Sequence, residues 1–203
     1  MFFNKYVLIF EHQIYTTMDT QNQWKEKWIT QPGLMLITVV IWAIFVGLCI
    51  QAGALAFTFV YSFFKPIVAE DLYEGLNLYG LYEQQFWYYT AMVVMLLVIA
   101  VLKAYLFYVM IRIFLTINLN HPFSKKVSDL IAEIANVALQ IGVWIIFAAA
   151  SIRWLAKNGY ELPSLGEFTG GAFEYLLLGA LIFGISEVFK RGVKMQSENE
   201  LTI

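Results

Sequence analysis

FWYYTAMVVMLLVIAVLKAYLFYVMIRIFL, at residues 86–115, contains two charged side chains in thirty positions. Crossing the roughly 30 Å hydrocarbon core of a bilayer takes about 20 helical residues, so this stretch is long enough to span a membrane. Three further apolar stretches occupy residues 34–64, 130–155 and 172–189. The sequence therefore predicts an all-α integral membrane protein, a bundle of four transmembrane helices.

The composition agrees with a membrane protein. Sixty per cent of the 203 residues are hydrophobic and 14% are charged, whereas about a quarter of the residues in a soluble domain are charged. The predicted organisation is an N-terminal lead at residues 1–33, cytoplasmic or interfacial, a transmembrane domain at residues 34–189 and a cytoplasmic C-terminal tail at residues 190–203. Translation is expected to start at Met1 or at Met18, which precedes a more ordinary polar lead. The net charge of −2 predicts no direct binding of nucleic acid.

Residues that perform chemistry are scarce in this chain. The single cysteine, Cys49, lies within the first apolar stretch, and the two histidines are His12 and His121. This set excludes the usual cysteine and histidine sites for soft metals. The sequence also contains no HExxH motif, phosphate-binding loop or nucleophile elbow. We therefore expect a protein that is not an enzyme and that has no catalytic residue, metal site or cofactor.

The positive charges divide unequally among the segments that flank the spans. The larger set lies in the N-terminal lead, the second connection and the C-terminal tail, and comprises Lys5, Lys25, Lys27, Arg112, Lys125, Lys126, Lys190, Arg191 and Lys194. The smaller set lies in the first and third connections and comprises Lys65, Arg153 and Lys157. Because positively charged segments tend to stay in the cytoplasm, both termini and the second connection are predicted to be cytoplasmic.

The first connection is rich in aromatic and leucine side chains. Tyr73, Tyr79 and Tyr82 favour a belt at the boundary between membrane and water, and a pocket for an extracellular peptide or a lipid is the alternative. The leucines of this connection predict a short interfacial helix, and they are Leu72, Leu76, Leu78 and Leu81.

The second connection carries signals for a turn and for the start of a helix. Pro122 disfavours helix at the residue before it, and Ser124 or Ser128 can cap the following helix through its hydroxyl. The second and third stretches exceed what a bilayer requires, so these helices either tilt or project into the cytoplasm as a hairpin. Arg112 and Glu133 can pair across that hairpin, where they would set the helix register.

Four polar side chains lie within the spans and are candidates for a functional role, because placing them in lipid is costly. They are Lys103, Glu187, Gln51 and Gln140. Lys103 either snorkels to the cytoplasmic boundary or pairs with Glu187. Each glutamine is expected to form an interhelical hydrogen bond worth about 1 kcal/mol, and substrate binding is the alternative.

Small residues recur at helical spacing within the spans. Because small side chains let helices approach closely, they predict tight packing within the bundle or between the protomers of a homo-oligomer. These residues are Ala43, Gly47, Gly142, Ala148–Ala150, Ala180 and Gly184.

Two segments resemble the signature of a known family. Residues 118–124 read NLNHPFS, and residues 187–203 read EVFKRGVKMQSENELTI. Together they are similar to the small bacterial four-span membrane proteins grouped as "domain of unknown function 2975". The pattern of that family combines Asn/Gly-x-Pro-Phe-Ser at the inner turn with a basic segment and a Gln-x-Glu ending. The resemblance spans residues 34–203.

The resemblance implies a context rather than a chemistry, because the family has no established biochemical activity. Its members often look like the partner of a small helix-turn-helix DNA-binding protein encoded alongside. This implies a membrane regulator that docks a cytoplasmic helix-turn-helix protein at the plasma (inner) membrane of a bacterium. A tail that packs back on the inner hairpin is the alternative. The docking candidates are Asn118, Pro122, Phe123, Ser124, Arg191, Gly192, Gln196, Glu198 and Leu201.

Two other functions stay open from the sequence. A small transporter, a channel subunit or a tolerance protein against membrane-active peptides would use the four intramembrane polar residues as a polar track. A passive scaffold in a larger complex would use the faces of small residues. In each case the lipid bilayer is the surrounding partner.

Overall fold

The structure is a computed structural model that describes residues 32–117, 124–160, 162 and 169–200. Within these ranges the regular secondary structure is entirely helical. The helices are α1 (Pro32–Ser62), α2 (Tyr79–Gln84), α3 (Phe86–Thr116), α4 (Lys125–Lys157) and α5 (Ala172–Glu200), with a 3-10 helix at Pro66–Glu70. The prediction of an all-α fold is confirmed.

Four of these helices are long and apolar enough to cross a membrane. The portions that meet this condition are Met35–Ser62, Phe86–Thr116, Lys125–Lys157 and Ala172–Gln196. About 20 residues suffice to cross the bilayer, so α1, α3, α4 and α5 are the transmembrane helices of the predicted four-span bundle. With 31, 31, 33 and 29 residues, each helix is longer than the crossing requires. The cytoplasmic location of the termini stays a prediction.

Two helix boundaries differ by five residues or more from those predicted from the sequence. α4 begins at Lys125, five residues earlier than expected. It starts there because the Ser124 side chain accepts a hydrogen bond of 3.3 Å from the backbone N–H of Val127 and thereby caps the helix. α5 continues to Glu200, so most of the predicted C-terminal tail is the end of this helix.

The chain divides into two compact units, residues 1–40 and 41–203. The described part of the first unit is the beginning of α1. The second unit contains the rest of α1 and all the other helices. The contacts that follow lie within this second unit, and they determine where its grooves open.

α1 meets α3 through large aromatic side chains rather than through a close approach of the two backbones. The ring centroids of Phe45 and Tyr108 lie 6.2 Å apart. Near the other end of the contact, the Tyr89 hydroxyl donates a hydrogen bond of 2.7 Å to the Ser62 hydroxyl, and both side chains are fully buried. A hydrogen bond between buried hydroxyls joins helices within a membrane, so this one holds the end of α1 against α3.

α4 and α5 approach each other closely at two glycines. A Cβ atom on Gly142 would lie 2.7 Å from Cγ of Leu176, and a Cβ atom on Gly179 would lie 2.7 Å from Cγ of Leu139. Small residues at such points allow helix backbones to pack tightly. The prediction that Gly142 permits close helix packing is confirmed, and Gly179 is a second such position that the sequence did not single out.

The predicted small residues of α1 and the pair Ala180 and Gly184 of α5 are not packed in the same way. A Cβ atom built on Gly47 or Gly184 would meet no heavy atom within 4 Å in the structure as described. Ala43 and Ala180 are also exposed. A role for these four residues in contacts between protomers therefore stays a prediction.

Residues 63–85, which connect α1 to α3, form a folded unit that we call the leucine cap. Its leucines are each 1% exposed, and they are Leu72, Leu76, Leu78 and Leu81. They share one apolar cluster with Leu55 of α1, Tyr89 of α3 and Leu155 of α4. The predicted interfacial helix is present only as the six-residue α2, and the first three leucines lie in the turns before it.

Hydrogen bonds hold the turns of the leucine cap in place. The backbone N–H of Leu72 donates to the carbonyl oxygen of Leu76 (2.9 Å), and the Thr58 hydroxyl donates to the carbonyl oxygen of Leu72 (2.7 Å). Gly75 has a φ of 82°, a conformation that glycine adopts without strain. Its N–H donates to Oδ1 of Asp71 (3.0 Å). The connection is therefore an ordered part of the bundle.

α5 begins beside the middle of α4 rather than beside the end of α4. The carbonyl oxygen of Ala172, the first residue of α5, lies 3.1 Å from the position of a Cβ on Gly142. Gly142 precedes the last residue of α4 by fifteen residues, which is about 22 Å of helix. α5 therefore covers the seam between α3 and α4 only towards the end of the bundle that contains Lys125, which we call the Lys125 end.

Candidate functional site

A polar groove of about 490 Å³ opens at the Lys125 end of the bundle. α4 provides most of its surface, α3 borders it on one side, and α5 contributes a lysine. The groove is lined by Leu102, Tyr105, Asp129, Ala132, Glu133, Asn136, Val137, Gln140 and Lys190.

The surface of the polar groove is a stripe of polar residues along α4. Asp129, Glu133, Asn136 and Gln140 follow one another at spacings of four, three and four residues, so they share one face of the helix. A second stripe of α4 is apolar and buried, and it contains Leu130, Ile134, Ala138 and Ile141. Of the polar stripe, the sequence analysis singled out Glu133 and Gln140. The regular spacing was the signal that could have identified the other two residues.

Glu133 connects the two helices of the hairpin. Its Oε1 accepts a hydrogen bond from the Tyr105 hydroxyl of α3, and its Oε2 lies 3.8 Å from Nη1 of Arg112. The predicted pair of Arg112 and Glu133 is thus confirmed. The two side chains are 40% and 32% exposed, and ion pairs at such exposure contribute about 1 kcal/mol or less. The pair therefore contributes more to helix register than to stability.

The end of α5 carries ion pairs along its own surface. Nζ of Lys190 lies 2.6 Å from Oε1 of Glu187, and Nζ of Lys194 lies 3.9 Å from Oε1 of Glu198. Residues three or four positions apart are neighbours on a helix surface, and pairs at this spacing contribute about 0.2–0.5 kcal/mol each. Because Lys190 also lines the polar groove, the pair of Lys190 and Glu187 lies at the edge of the groove.

The side chain of Lys103, on α3, contacts α5. Its Nζ is 5.7 Å from the centre of the Tyr175 ring, which is a cation–π arrangement. Across the residues that the structure describes, no carboxylate is within ion-pair distance of Lys103, and Glu187 pairs with Lys190 instead. The structure therefore joins Lys103 to Tyr175 and not to Glu187.

The two glutamines of the spans occupy different environments. Gln51 is half-buried on α1, and Gln140 is exposed in the polar groove. Neither amide forms a hydrogen bond with another side chain or backbone group in the described ranges, so the expected interhelical hydrogen bonds are not formed there. Of the four predicted intramembrane polar residues, Gln140 alone is among those that line the polar groove.

The residues singled out by the family resemblance fall into two groups. Asn118, Pro122, Phe123 and Leu201 lie outside the described residues. The described members lie on α4 and α5: Ser124 caps α4, Arg191 and Glu198 are exposed on α5, and Gly192 and Gln196 are half-buried there. The described members thus lie on the two helices that meet at the polar groove.

Possible metal ligands do not cluster in the described ranges. No group of three or more His, Cys, Asp and Glu side chains within them is arranged to hold a metal ion. Cys49 is a free thiol on the exposed surface of α1. Lipid surrounds this surface when the helix spans a membrane.

These features define an integral membrane protein with four transmembrane helices and a polar groove at one end. Residues 76–203 match the family described as "Protein of unknown function (DUF2975)", and the chain belongs to this family. The resemblance seen in the sequence is confirmed over these residues, which include α3, α4 and α5. Residues 34–75 lie outside the match. No curated protein and no solved structure matches the chain.

Proposed function

We propose that the protein is a non-enzymatic membrane regulator that docks a small cytoplasmic helix-turn-helix protein at the Lys125 end of its bundle. The observation that carries this proposal is the polar groove of about 490 Å³, with the carboxylates of Asp129 and Glu133 in its surface. Described residues of both segments that carry the family resemblance lie close to it in the chain or line it. Ser124 caps α4 little more than one helical turn before Asp129, which lines the groove. Lys190 of α5 also lines it.

The polar character of the Lys125 end supports a site that faces water. Charged and amide side chains are costly in lipid, and Asp129, Asn136 and Gln140 are all exposed on one face of α4. The excess of lysine and arginine at this end favours the cytoplasmic side of a bacterial plasma membrane. A soluble protein would therefore reach the groove without entering the bilayer.

The charges of the polar groove indicate how a partner would bind. Glu133 is engaged by Tyr105 and Arg112, whereas Asp129 is exposed and forms no ion pair with any other described residue. A DNA-binding protein presents lysine and arginine side chains on its DNA-facing surface, and Asp129 offers them an available carboxylate. A partner held by that surface would be kept from DNA. Its release would require only that two states of the bundle differ in affinity for it.

Recovery of the partner from native membranes tests the proposal. The unmodified protein, Asp129→Lys and Glu70→Lys would be solubilised in detergent and captured, and the bound proteins would be identified by mass spectrometry. Glu70→Lys is the matched control, because it makes the same change of charge at an exposed residue of the leucine cap. We expect the unmodified protein and the control to recover a helix-turn-helix protein and Asp129→Lys to lose it. Equal recovery by all three, or recovery by none, would contradict docking at the groove.

A small transporter, a channel subunit or a tolerance protein against membrane-active peptides is the second candidate. Lys103 favours it, because a lysine within a span that has no carboxylate beside it among the described residues is typical of ion and substrate pathways. On this alternative, Lys103→Ala abolishes transport or tolerance and leaves the melting temperature unchanged. A lowered melting temperature with full activity would instead assign Lys103 a structural role.

A further inference from the structure

A second groove, of about 420 Å³, opens between α3 and α4 at the leucine-cap end of the bundle. We call it the apolar groove. α5 does not cover the seam between α3 and α4 at this height, because it begins beside the middle of α4. Met95 lies at the transition: like Ala172 and Tyr175 of α5, it packs against the buried cluster that contains Ile141 and Ile145, and it also lines the apolar groove. Among the described residues, the groove is thus the part of the α3–α4 seam that α5 leaves uncovered, and α5 covers the same seam towards the Lys125 end.

The walls of the apolar groove match a hydrocarbon chain. Met92 and Met95 line it from α3, and Phe147 and Ala150 line it from α4. The hydroxyl of Ser151, which also lines it, already donates a hydrogen bond of 2.9 Å to the carbonyl oxygen of Phe147. Because both helices span the membrane, the groove opens towards lipid, where acyl chains are the available apolar groups.

Aromatic side chains mark the end of the apolar groove nearest the leucine cap. The ring centroids of Tyr88 and Trp154 lie 5.6 Å apart, and those of Tyr88 and Tyr160 lie 5.5 Å apart, both edge to face. Tyrosine and tryptophan collect at the headgroup level of a bilayer because each combines an apolar ring with a polar group. This rim therefore lies where an acyl chain meets its headgroup.

Two cations of α4 lie one and three residues from Trp154 of the aromatic rim. Arg153 and Lys157 are four residues apart on α4, which places them on the face that also carries Ala150 and Trp154. Both are exposed, and neither forms an ion pair with a residue in the described part of the chain. Basic side chains at headgroup level attract anionic lipids. The site therefore combines an apolar groove with two positive charges at its headgroup end.

We propose that the apolar groove binds an anionic glycerophospholipid. One acyl chain occupies the groove between α3 and α4, and the phosphate lies beside Arg153 and Lys157 at the aromatic rim. The cations select for a negative headgroup, and the groove holds the chain. The site lies at the opposite end of the bundle from the polar groove, and it does not rest on the docking of a cytoplasmic protein.

Native mass spectrometry of the purified full-length protein with defined lipids tests this site. Phosphatidylglycerol and phosphatidylcholine with the same acyl chains differ only in the headgroup, so they separate charge recognition from chain binding. The double change Arg153→Gln/Lys157→Gln should weaken phosphatidylglycerol binding about 25-fold, because each basic residue contributes about fivefold. Phosphatidylcholine binding should not change. Ala91→Phe fills the groove from a lining position and should weaken the binding of both lipids.

Two variants serve as matched controls. Lys65→Gln removes a cation of the first connection that lies 5.8 Å from the Tyr61 ring and does not line the groove. Val94→Phe adds an aromatic ring to the exposed surface of α3 outside the groove. Both controls should bind the two lipids as the unmodified protein does, and circular dichroism should show that every variant is helical. If the double variant is poorly folded, Arg153→Gln alone provides the test, with an expected loss of about fivefold.

Three results would overturn the lipid site. The first is undiminished binding of phosphatidylglycerol by the charge variants. The second is an equal loss caused by Lys65→Gln, which would mean that any cation at this end of the bundle attracts the lipid. The third is unchanged binding of both lipids by Ala91→Phe, which would place the acyl chain elsewhere or show that another segment of the chain fills the groove.

Discussion

The close contact between α4 and α5 makes Gly179 sensitive to the smallest enlargement of its side chain. In Gly179→Ala the new methyl group would lie 2.7 Å from Cγ of Leu139 and 3.0 Å from the backbone nitrogen of the same residue. A leucine side chain can change its rotamer. A backbone nitrogen within a helix cannot move without moving α4, so the substitution should push α4 and α5 apart.

Gly184, on the same helix, provides a matched control that isolates this packing effect. Replacing a glycine within a helix by alanine gains about 1 kcal/mol of helix propensity, and both variants share that gain. Overpacking costs about 1–3 kcal/mol. Only Gly179→Ala incurs that cost, because a Cβ atom on Gly184 meets no described atom within 4 Å. The free energy of unfolding of Gly179→Ala should therefore be lower than that of Gly184→Ala by about 1–3 kcal/mol.

Thermal unfolding in detergent, followed by tryptophan fluorescence, measures this difference. For a chain of this size, 1 kcal/mol corresponds to about 2–4 °C. A difference of 2 kcal/mol should thus make Gly179→Ala unfold roughly 4–8 °C below Gly184→Ala. Equal melting temperatures would refute the claim that the contact at Gly179 is tight. An equally large loss in both variants would mean that Gly184 also lies in a tight contact.

Three further predictions concern topology, the leucine cap and the hairpin. In a Cys49→Ser background, the cysteine of Glu70→Cys should react with an impermeant maleimide in intact cells, and that of Met195→Cys should react only after permeabilisation. The reverse pattern would contradict cytoplasmic termini. Leu76→Ala should lower the free energy of unfolding by about 2–5 kcal/mol, because Leu76 is 1% exposed. A loss below about 1 kcal/mol, measured by denaturation in detergent, would mean that the leucine cap adds little to stability. Glu133→Gln should lower the free energy of unfolding by less than about 1 kcal/mol, since the amide oxygen can still accept a hydrogen bond from the Tyr105 hydroxyl. A loss of about 3 kcal/mol would show that the negative charge of Glu133 is required.

The candidate site was only partly predictable from the sequence. Arg112 and Glu133 have opposite charges and flank the predicted turn, and the pair is formed. Asp129 and Asn136 were not recognised, although their spacing from Glu133 places all three on one face of a helix. Periodicity identifies such a face, but it does not reveal whether lipid, water or another helix covers it. That information comes from the arrangement of α3, α4 and α5.

Lys103 shows a related limit of sequence reasoning. A charge within a span requires some compensation, and the sequence offered two alternatives, the cytoplasmic boundary and Glu187. The register of α5 against α3 brings the Tyr175 ring to the lysine instead. Glu187 meets Lys190 three residues along its own helix, a local neighbour that needs no particular helix packing.

The sequence by itself determined the four transmembrane helices and provided the serine that caps α4. Both features are local: a helix crosses the bilayer when about 20 consecutive residues are apolar, and a serine caps the helix that it immediately precedes. Only the tertiary structure decided that the leucines of the cap are buried and that α5 begins beside the middle of α4, so that α5 does not cover the apolar groove. Those outcomes depend on contacts between residues far apart in the chain. Gly179 and Gly184 are both glycines of α5, but their packing differs. A Cβ atom on Gly179 would meet Leu139 of α4, whereas a Cβ atom on Gly184 would meet no described atom within 4 Å.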